Sequence, residues 1–169
     1  QTHEITNQFN ELTDYNLFAT DAPLREALER AGGGSYAAQL NQYGEALGRS
    51  DTYALAEQAN RFTPEFKPFD QRGRRLDQVD FHPSWHKLMA MYRGEGLISM
   101  AFRDQQPGRW AATSAGFYMH GQIEAGTMCP ATMTQAAIPL LEREPTLWPL
   151  LKDKLLDNGY DARDLPLQH

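Results

Sequence analysis

The sequence predicts an all-α fold, a helical bundle domain with a short hairpin or irregular segment around residues 66–81. Two observations carry this prediction. Apolar side chains recur three and four residues apart, the spacing of one helix face, in segments that glycine or proline separates. The chain has 169 residues, of which 41% are hydrophobic, and this is enough for the core of one domain.

Three short helices are predicted in the first third of the chain. The first starts after Asp21, which can cap it, with Pro23 in the first turn. Ser35 and Ser50 are predicted to cap the second and the third helix. Each helix ends at or just before a residue that stops helices; these residues are Gly32, Gly48 and Pro64.

Residues 63–83 depart from the helical pattern. Prolines and glycine interrupt this segment, and Asp70–Gly73 is predicted to be a turn that closes a small hairpin. Helical spacing returns after Pro83, where four apolar side chains share one face of the next helix: Trp85, Leu88, Met89 and Tyr92.

The second half is predicted to contain the most buried helix. Only Arg109 and Glu124 are charged within residues 109–127, so a helix over this range is expected to be apolar on nearly all sides and to lie in the middle of the bundle. Pro139 is expected to kink or restart the next helix. A last helix is predicted over residues 147–156, and the last nine residues are predicted to be an exit strand or tail.

The charge balance argues against two classes of function. Twenty-two acidic and sixteen basic side chains give a net charge of −6, which disfavours a dedicated nucleic-acid binder and docking on an anionic membrane. The single cysteine, Cys129, cannot form an internal disulfide, and the sequence has no evident targeting segment or bilayer-spanning run. We therefore expect a cytoplasmic protein that does not insert into membranes.

Two pairs of residues have the composition of a chemical site, and each has a simpler interpretation. His82 and His86 are four residues apart, a spacing found in metal sites, yet no third ligand is near. Capping and packing are therefore favoured for them, and no metal is predicted. Cys129 follows His120 by nine residues, a pattern so common by chance that a buried cysteine acting as a small hydrophobic residue is favoured.

Two further clusters are predicted to be structural. A phosphate cradle needs a strand before its glycines, but a helix precedes Gly32–Gly34, so a helix cap and linker is expected there. Asp70, Asp77 and Asp80 nearly cancel the basic cluster Arg72–Arg75, which predicts a solvated or salt-bridged turn. Direct DNA contact by these arginines stays an alternative.

Glu124 is the one charged residue between Arg109 and Glu142. A carboxylate in such apolar surroundings has to be ion-paired, hydrogen-bonded or directed into a cavity. A structural pair with an arginine and a place in a pocket are about equally favoured by the sequence. The soft or small residues that follow are compatible with an adaptable pocket and with core packing: Met128, Thr132, Met133 and Thr134.

Two stretches are distinctive: residues 120–141, HGQIEAGTMCPATMTQAAIPLL, and residues 71–86, QRGRRLDQVDFHPSWH. Both resemble the N-terminal helical domain of acyl-CoA dehydrogenases and are closest to the alkylation-response, AidB-type subfamily. The resemblance implies that residues 1–169 are the first domain of a longer chain, which continues with a β-barrel and a C-terminal helical bundle. Shorter similarities stand near the two ends of the chain: Asn16–Leu17, Tyr160–Asp161 and Leu165–Pro166.

The same resemblance implies what the longer protein does. It would be an FAD-dependent oxidoreductase acting on an acyl-CoA-type substrate, with the flavin held by the later domains and none in this fragment. No catalytic residue is expected in this chain, which would shape the acyl pocket through Glu124, Ala125 and Met128 and contribute to subunit contacts. A homo-tetramer is implied, and DNA would bind only through regions outside this chain.

The alternative function is a free-standing helical module for protein interaction or oligomerisation. The aromatic residues on short helices would give such a module an exposed apolar face. A native reading frame that stops near His169 would favour this alternative.

Overall fold

The computed structural model describes residues 2–165 and confirms the all-α class with a small hairpin. The last four residues of the predicted tail lie outside the described residues. A 3₁₀ turn, Gly34–Tyr36, leads into the second helix. In order, the regular elements are α1 (Ala22–Arg30), α2 (Ala37–Leu47), α3 (Ser50–Arg61), β1 (Glu65–Phe69), β2 (Arg75–Asp80), α4 (Pro83–Gly94), α5 (Met100–Arg103), α6 (Arg109–Ile123), α7 (Met128–Leu141) and α8 (Trp148–Leu156).

The caps of the first three helices are predicted correctly in one case out of three. The Asp21 carboxylate accepts the N–H of Leu24 at 2.9 Å and caps α1 as expected. Ser35 lies inside the 3₁₀ turn and does not cap α2. Ser50 is the first residue of α3. Its N–H donates at 2.9 Å to the carboxylate of Asp14, which precedes it by 36 residues in the sequence.

The core is centred where α2 packs on α6, while α3 packs on α4. Gly116 of α6 allows a close approach to Leu97, because a methyl group at this position would stand 2.4 Å from the Leu97 Cδ2 atom. The segment between α4 and α5 therefore reaches the middle of the domain. Fully buried apolar side chains come from α2, α4, the segment between α4 and α5, α6 and α7: Leu40, Leu47, Leu88, Leu97, Met119 and Ile138.

The predicted hairpin is confirmed, and its turn is the one expected from Asp70–Gly73. β1 and β2 are antiparallel, and Gly73 adopts a positive φ of 77° in the turn between them. The Asp70 carboxylate accepts the N–H groups of Arg72 and Arg74 at 2.8 and 2.9 Å, which closes the turn. Phe66 and Phe69 of β1 remain more than half exposed.

The charge-free segment corrects two predictions. α6 ends at Ile123, and residues 124–127 form a turn instead of the predicted last helical turn. The helix is also not buried on all sides, since Trp110 and Tyr118 stay about half exposed. The core therefore takes in the side of α6 that carries its small residues together with Met119 and His120.

α7 and α8 extend over about the residues predicted for them, but fewer of their side chains are buried than expected. α7 continues through Pro139 and ends at Leu141, so this proline does not restart a helix. α8 confirms the last predicted helix, but within α8, which the structure describes in full, no residue is buried. Leu150, a member of its predicted apolar face, is 72% exposed. None of the helices within residues 2–165 is long and apolar enough to cross a membrane.

Candidate functional site

The turn that joins α6 to α7 is built around the carboxylate of Glu124. This side chain is only 3% exposed, and its two oxygens accept the N–H groups of Gly126 and Thr127 and the hydroxyl of Thr127. Both bonds from Thr127 measure 2.8 Å. Of the arrangements open to this carboxylate, hydrogen bonding is the one observed, and among the described residues Glu124 forms no ion pair with an arginine. We call residues 124–127 the α6–α7 turn.

His120 connects this turn to the rest of the domain. Its ring is fully buried in the last turn of α6, with Nδ1 2.7 Å from the Tyr43 hydroxyl and Nε2 2.9 Å from the Thr127 hydroxyl. Thr127 uses its one hydrogen for Glu124, so it accepts from His120 Nε2–H. His120 Nδ1 then accepts from Tyr43. The four side chains form one directed series of hydrogen bonds, which we call the Tyr43–Glu124 chain.

The electrostatics of the site agree with that direction. Burial lowers the pKa of His120 to about 4, and the nearby Glu124 charge only partly opposes this effect. Burial also raises the pKa of the Tyr43 hydroxyl well above its ordinary value. At neutral pH the imidazole is therefore neutral and the phenol is protonated. Both ring nitrogens of His120 are engaged, which suits the chain to holding the turn rather than to exchanging protons with a substrate.

The three predicted pocket residues lie next to one another but face different ways. Glu124 is buried with its carboxylate directed into the turn, Ala125 is exposed, and Met128 is partly buried at the start of α7. The Met128 sulfur stands across Gly121 of α6, 3.0 Å from where a methyl group on that glycine would lie. The outer side of the turn is thus formed by Ala125, Gly126 and part of Met128. Their role in binding stays a prediction.

The histidines predicted to be structural are structural. His82 caps α4 by accepting the N–H of Ser84 at 3.2 Å, and its ring stacks on Phe62 with 4.8 Å between ring centroids. His86 Nδ1 lies 2.7 Å from the Tyr160 hydroxyl. Across residues 2–165 no group of three or more His, Cys, Asp or Glu side chains is arranged to hold a metal ion.

Cys129 is exposed, so the prediction of a buried cysteine is wrong. It is the second residue of α7, on a side of the helix that this domain leaves uncovered. A Cys–His pair is not formed either, because Tyr43 and Thr127 occupy both nitrogens of His120.

The glycine and arginine clusters have the structural roles that the sequence predicts. Gly32 ends α1 with a φ of 76°, and the N–H of Gly33 bonds the Leu28 carbonyl at 2.9 Å, so the cluster is a helix cap. In the hairpin, Arg74 pairs with Asp70 and Arg75 pairs with Asp77, each at 2.6 Å. These neighbouring acids offset the basic charge at the surface.

Large apolar side chains are exposed on three consecutive helices. α6, α7 and α8 each contribute some, with exposed fractions from 37% to 72%. On α6 and α7 the sequence signal for them is the scarcity of charge after Arg109, a pattern that also predicts burial within one domain. A surface that contacts another protein surface has the same composition. The exposed residues of these helices are Trp110, Phe117, Tyr118, Met133, Leu140 and Leu150.

Comparison with known proteins gives one family. A model of the adaptive response protein AidB N-terminal domain matches residues 7–162. The AidB protein of Escherichia coli is 39% identical over 168 residues, which are 98% of this chain and 31% of that protein. Acyl-CoA dehydrogenase family member 11 of Caenorhabditis elegans is 28% identical over 72% of this chain and 20% of its own length. The chain thus spans less than a third of these curated relatives.

Two solved structures have the same fold. One is Caenorhabditis elegans ACDH-11 in complex with C11-CoA, with a TM-score of 0.77 at 24% identity over 94% of this chain and 29% of that chain. The other is the apo-form of Bd2924, with a TM-score of 0.80 at 24% identity over 90% of this chain and 32% of that chain.

Proposed function

Because this chain belongs to the AidB N-terminal domain family of acyl-CoA dehydrogenase-like proteins, we propose that it works as the helical first domain of an FAD-dependent acyl-CoA dehydrogenase. In that protein it shapes the acyl end of the substrate pocket, contributes to subunit contacts and carries no catalytic residue. The observation that carries the proposal is the extent of the match, because nearly the whole chain aligns with less than a third of the relative.

The uncovered apolar side chains support a place beside further domains. Trp110 and Tyr118 on α6 and Leu150 on α8 would be unusual on a domain that works alone in water. Remaining domains of the same chain, or a second subunit, would remove them from solvent. We propose that the assembled protein is a homo-tetramer, as in other members of the resembled family.

The α6–α7 turn is our proposed contribution to the acyl pocket. Ala125 is available on its outer side and Met128 is partly available, so both can contact an apolar chain. The similarity in fold to a protein solved with an acyl-CoA supports this choice of ligand class. Glu124 would then support the pocket wall from behind, because its oxygens already serve the turn.

The glycine cluster Gly32–Gly34 does not suit a flavin pyrophosphate. The glycine cluster is a helix cap, and a methyl group on Gly33 would stand 2.4 Å from the Leu28 side chain, so a pyrophosphate has no cradle there. We therefore place the flavin in the other domains, where it would accept a hydride from the β-carbon of the acyl group. The part of this chain is to exclude water and to orient the acyl tail.

The biological setting that we propose is the response to alkylation damage in the cytoplasm. DNA, where it binds, would contact regions outside this chain, since the net charge here is −6.

The experiment that tests the proposed function compares the product of the whole gene with the 169-residue chain. The whole protein is expected to purify with FAD and to bind acyl-CoA, whereas the 169-residue chain is expected to hold no flavin and to oxidise no acyl-CoA. Oxidation of an acyl-CoA by the 169-residue chain alone would contradict the assignment.

The second candidate is the free-standing interaction module, which the exposed side chains of α6, α7 and α8 also favour. The intact mass of the native gene product separates the two candidates. A mass near 19.2 kDa would favour the module, and a mass about three times larger would favour the flavoprotein.

A further inference from the structure

A single series of hydrogen bonds joins three helices at the α6–α7 turn. Tyr43 lies on α2, His120 lies near the end of α6, and Thr127 stands immediately before α7. All three are buried, with at most 5% of any of them exposed. The Tyr43–Glu124 chain therefore fixes the turn against the two helices that pack at the centre of the domain.

Each member of this chain depends on the one before it. His120 receives a hydrogen from Tyr43 and gives one to Thr127, and Thr127 gives its own to Glu124. Removal of one hydroxyl leaves the neighbouring polar group buried without a partner. This lowers the free energy of unfolding by more than the hydrogen bond itself contributes to it. An apolar set of side chains would fill the same space without this requirement. The chain thus specifies one arrangement of the turn.

We infer that Tyr43, His120 and Thr127 are positioning residues, which act through Glu124 to hold the α6–α7 turn in the shape that the acyl pocket requires. The inference rests on the proposed function, because the pocket would use the outer side of the same turn. That side carries Ala125, while the carboxylate behind it is directed inward. None of the three positioning residues touches the substrate, so each acts only through the backbone of the turn.

Four variants of the whole protein test this role. Tyr43→Phe and Thr127→Val each remove one hydroxyl from the Tyr43–Glu124 chain, whereas Thr127→Ser keeps the hydroxyl and loses a methyl group. Tyr36→Phe is the matched control, because Tyr36 is also buried and its hydroxyl donates to Asp104, which is not a member of the Tyr43–Glu124 chain.

Two measurements are made on each variant. Hydrogen exchange followed by mass spectrometry reports the amides of Gly126 and Thr127, which Glu124 holds. Binding titrations compare a saturated long-chain acyl-CoA with free CoA, so that any change specific to the acyl tail is separated from a change in folded fraction. Tyr43→Phe and Thr127→Val are expected to speed exchange about tenfold and to weaken acyl-CoA binding about tenfold relative to CoA. Thr127→Ser and Tyr36→Phe are expected to behave as the wild type does.

The opposite results would overturn the inference. Equal loss of affinity for acyl-CoA and CoA in Tyr43→Phe, or unchanged exchange of the turn, would leave these residues with a role in stability alone. If Thr127→Val does not fold, the comparison of Tyr43→Phe with its control Tyr36→Phe decides whether these residues position the turn. Failure of the wild type to bind acyl-CoA at all would refute the proposed function, and the exchange rates would still show whether the chain holds the turn.

Discussion

The buried imidazole of His120 determines how the stability of this domain depends on pH. In the folded state its pKa is lowered by burial to about 4, against an ordinary value of 6.5. Between these values the unfolded chain binds a proton that the folded domain does not accept. The contribution of the neutral His120 to the free energy of unfolding is therefore fully present above pH 6.5, the ordinary pKa, and is lost as the pH falls towards 4, the pKa in the folded state.

The magnitude follows from the two pKa values. Each whole pH unit between them contributes about 1.4 kcal/mol, so His120 should remove about 2 kcal/mol of unfolding free energy between pH 7 and pH 4.5. His120→Gln is the informative change, because the glutamine amide can accept from Tyr43 and donate to Thr127 but does not titrate. Carboxylates that titrate in the same range are present in both proteins, so their effects cancel in the difference.

The assay is chemical denaturation of the wild type and of His120→Gln at pH 7 and at pH 4.5. The stability of the wild type relative to the variant is expected to fall by about 2 kcal/mol at the lower pH. His3→Gln serves as the control, since His3 is exposed and lies outside the regular elements. Parallel pH profiles for the wild type and His120→Gln would refute the assignment of a neutral, buried imidazole.

Three further changes test other parts of the structure. Burial raises the pKa of Glu95 to about 7, so its charge destabilises the folded state above that pH and has no effect below the ordinary value of 4.5. After allowance for its partial exposure, Glu95→Gln should stabilise the domain by about 1 kcal/mol at pH 8 and by nothing at pH 4 in the same denaturation assay. Gly116→Ala would place a methyl group 2.4 Å from Leu97 and should cost about 1–3 kcal/mol, whereas Gly94→Ala, with no atom within 4 Å, should cost nothing; equal melting temperatures would contradict the close packing of α6. Asp21→Ala removes the cap of α1 and should cost about 1 kcal/mol, seen as a lower denaturation midpoint, while an unchanged midpoint would mean that the cap contributes nothing.

Local chemistry explains the elements that the sequence predicts correctly. The start of α1 depends on Asp21 and a following proline, and the hairpin turn depends on Asp70 and Gly73. In both cases the deciding residues are close together in the chain, so their pattern is visible without the fold. The resemblance of residues 120–141 to the acyl-CoA dehydrogenases is confirmed at the level of the family.

The sequence does not reveal which apolar surface remains uncovered within this chain. The charge-free segment of α6 and α7 indicates contact with other apolar atoms, but composition does not say whether these belong to the same domain. Cys129 is accordingly predicted to be buried and is found exposed.

The Tyr43–Glu124 chain could not be predicted for a different reason. Tyr43 and His120 are separated by 77 residues, and only the packing of α2 on α6 brings them together. The sequence does mark Glu124 as a carboxylate that needs a partner. Its partners are backbone N–H groups and a threonine, which leave no recognisable spacing.

Hydrogen exchange of the whole protein with and without a long-chain acyl-CoA tests most directly whether this domain lines the acyl pocket. Binding is expected to slow exchange in the peptide covering residues 124–133, at the α6–α7 turn and the start of α7, while the hairpin of β1 and β2 exchanges as before. Protection elsewhere in the protein, with no change at the turn, would contradict the proposal that this domain lines the acyl pocket.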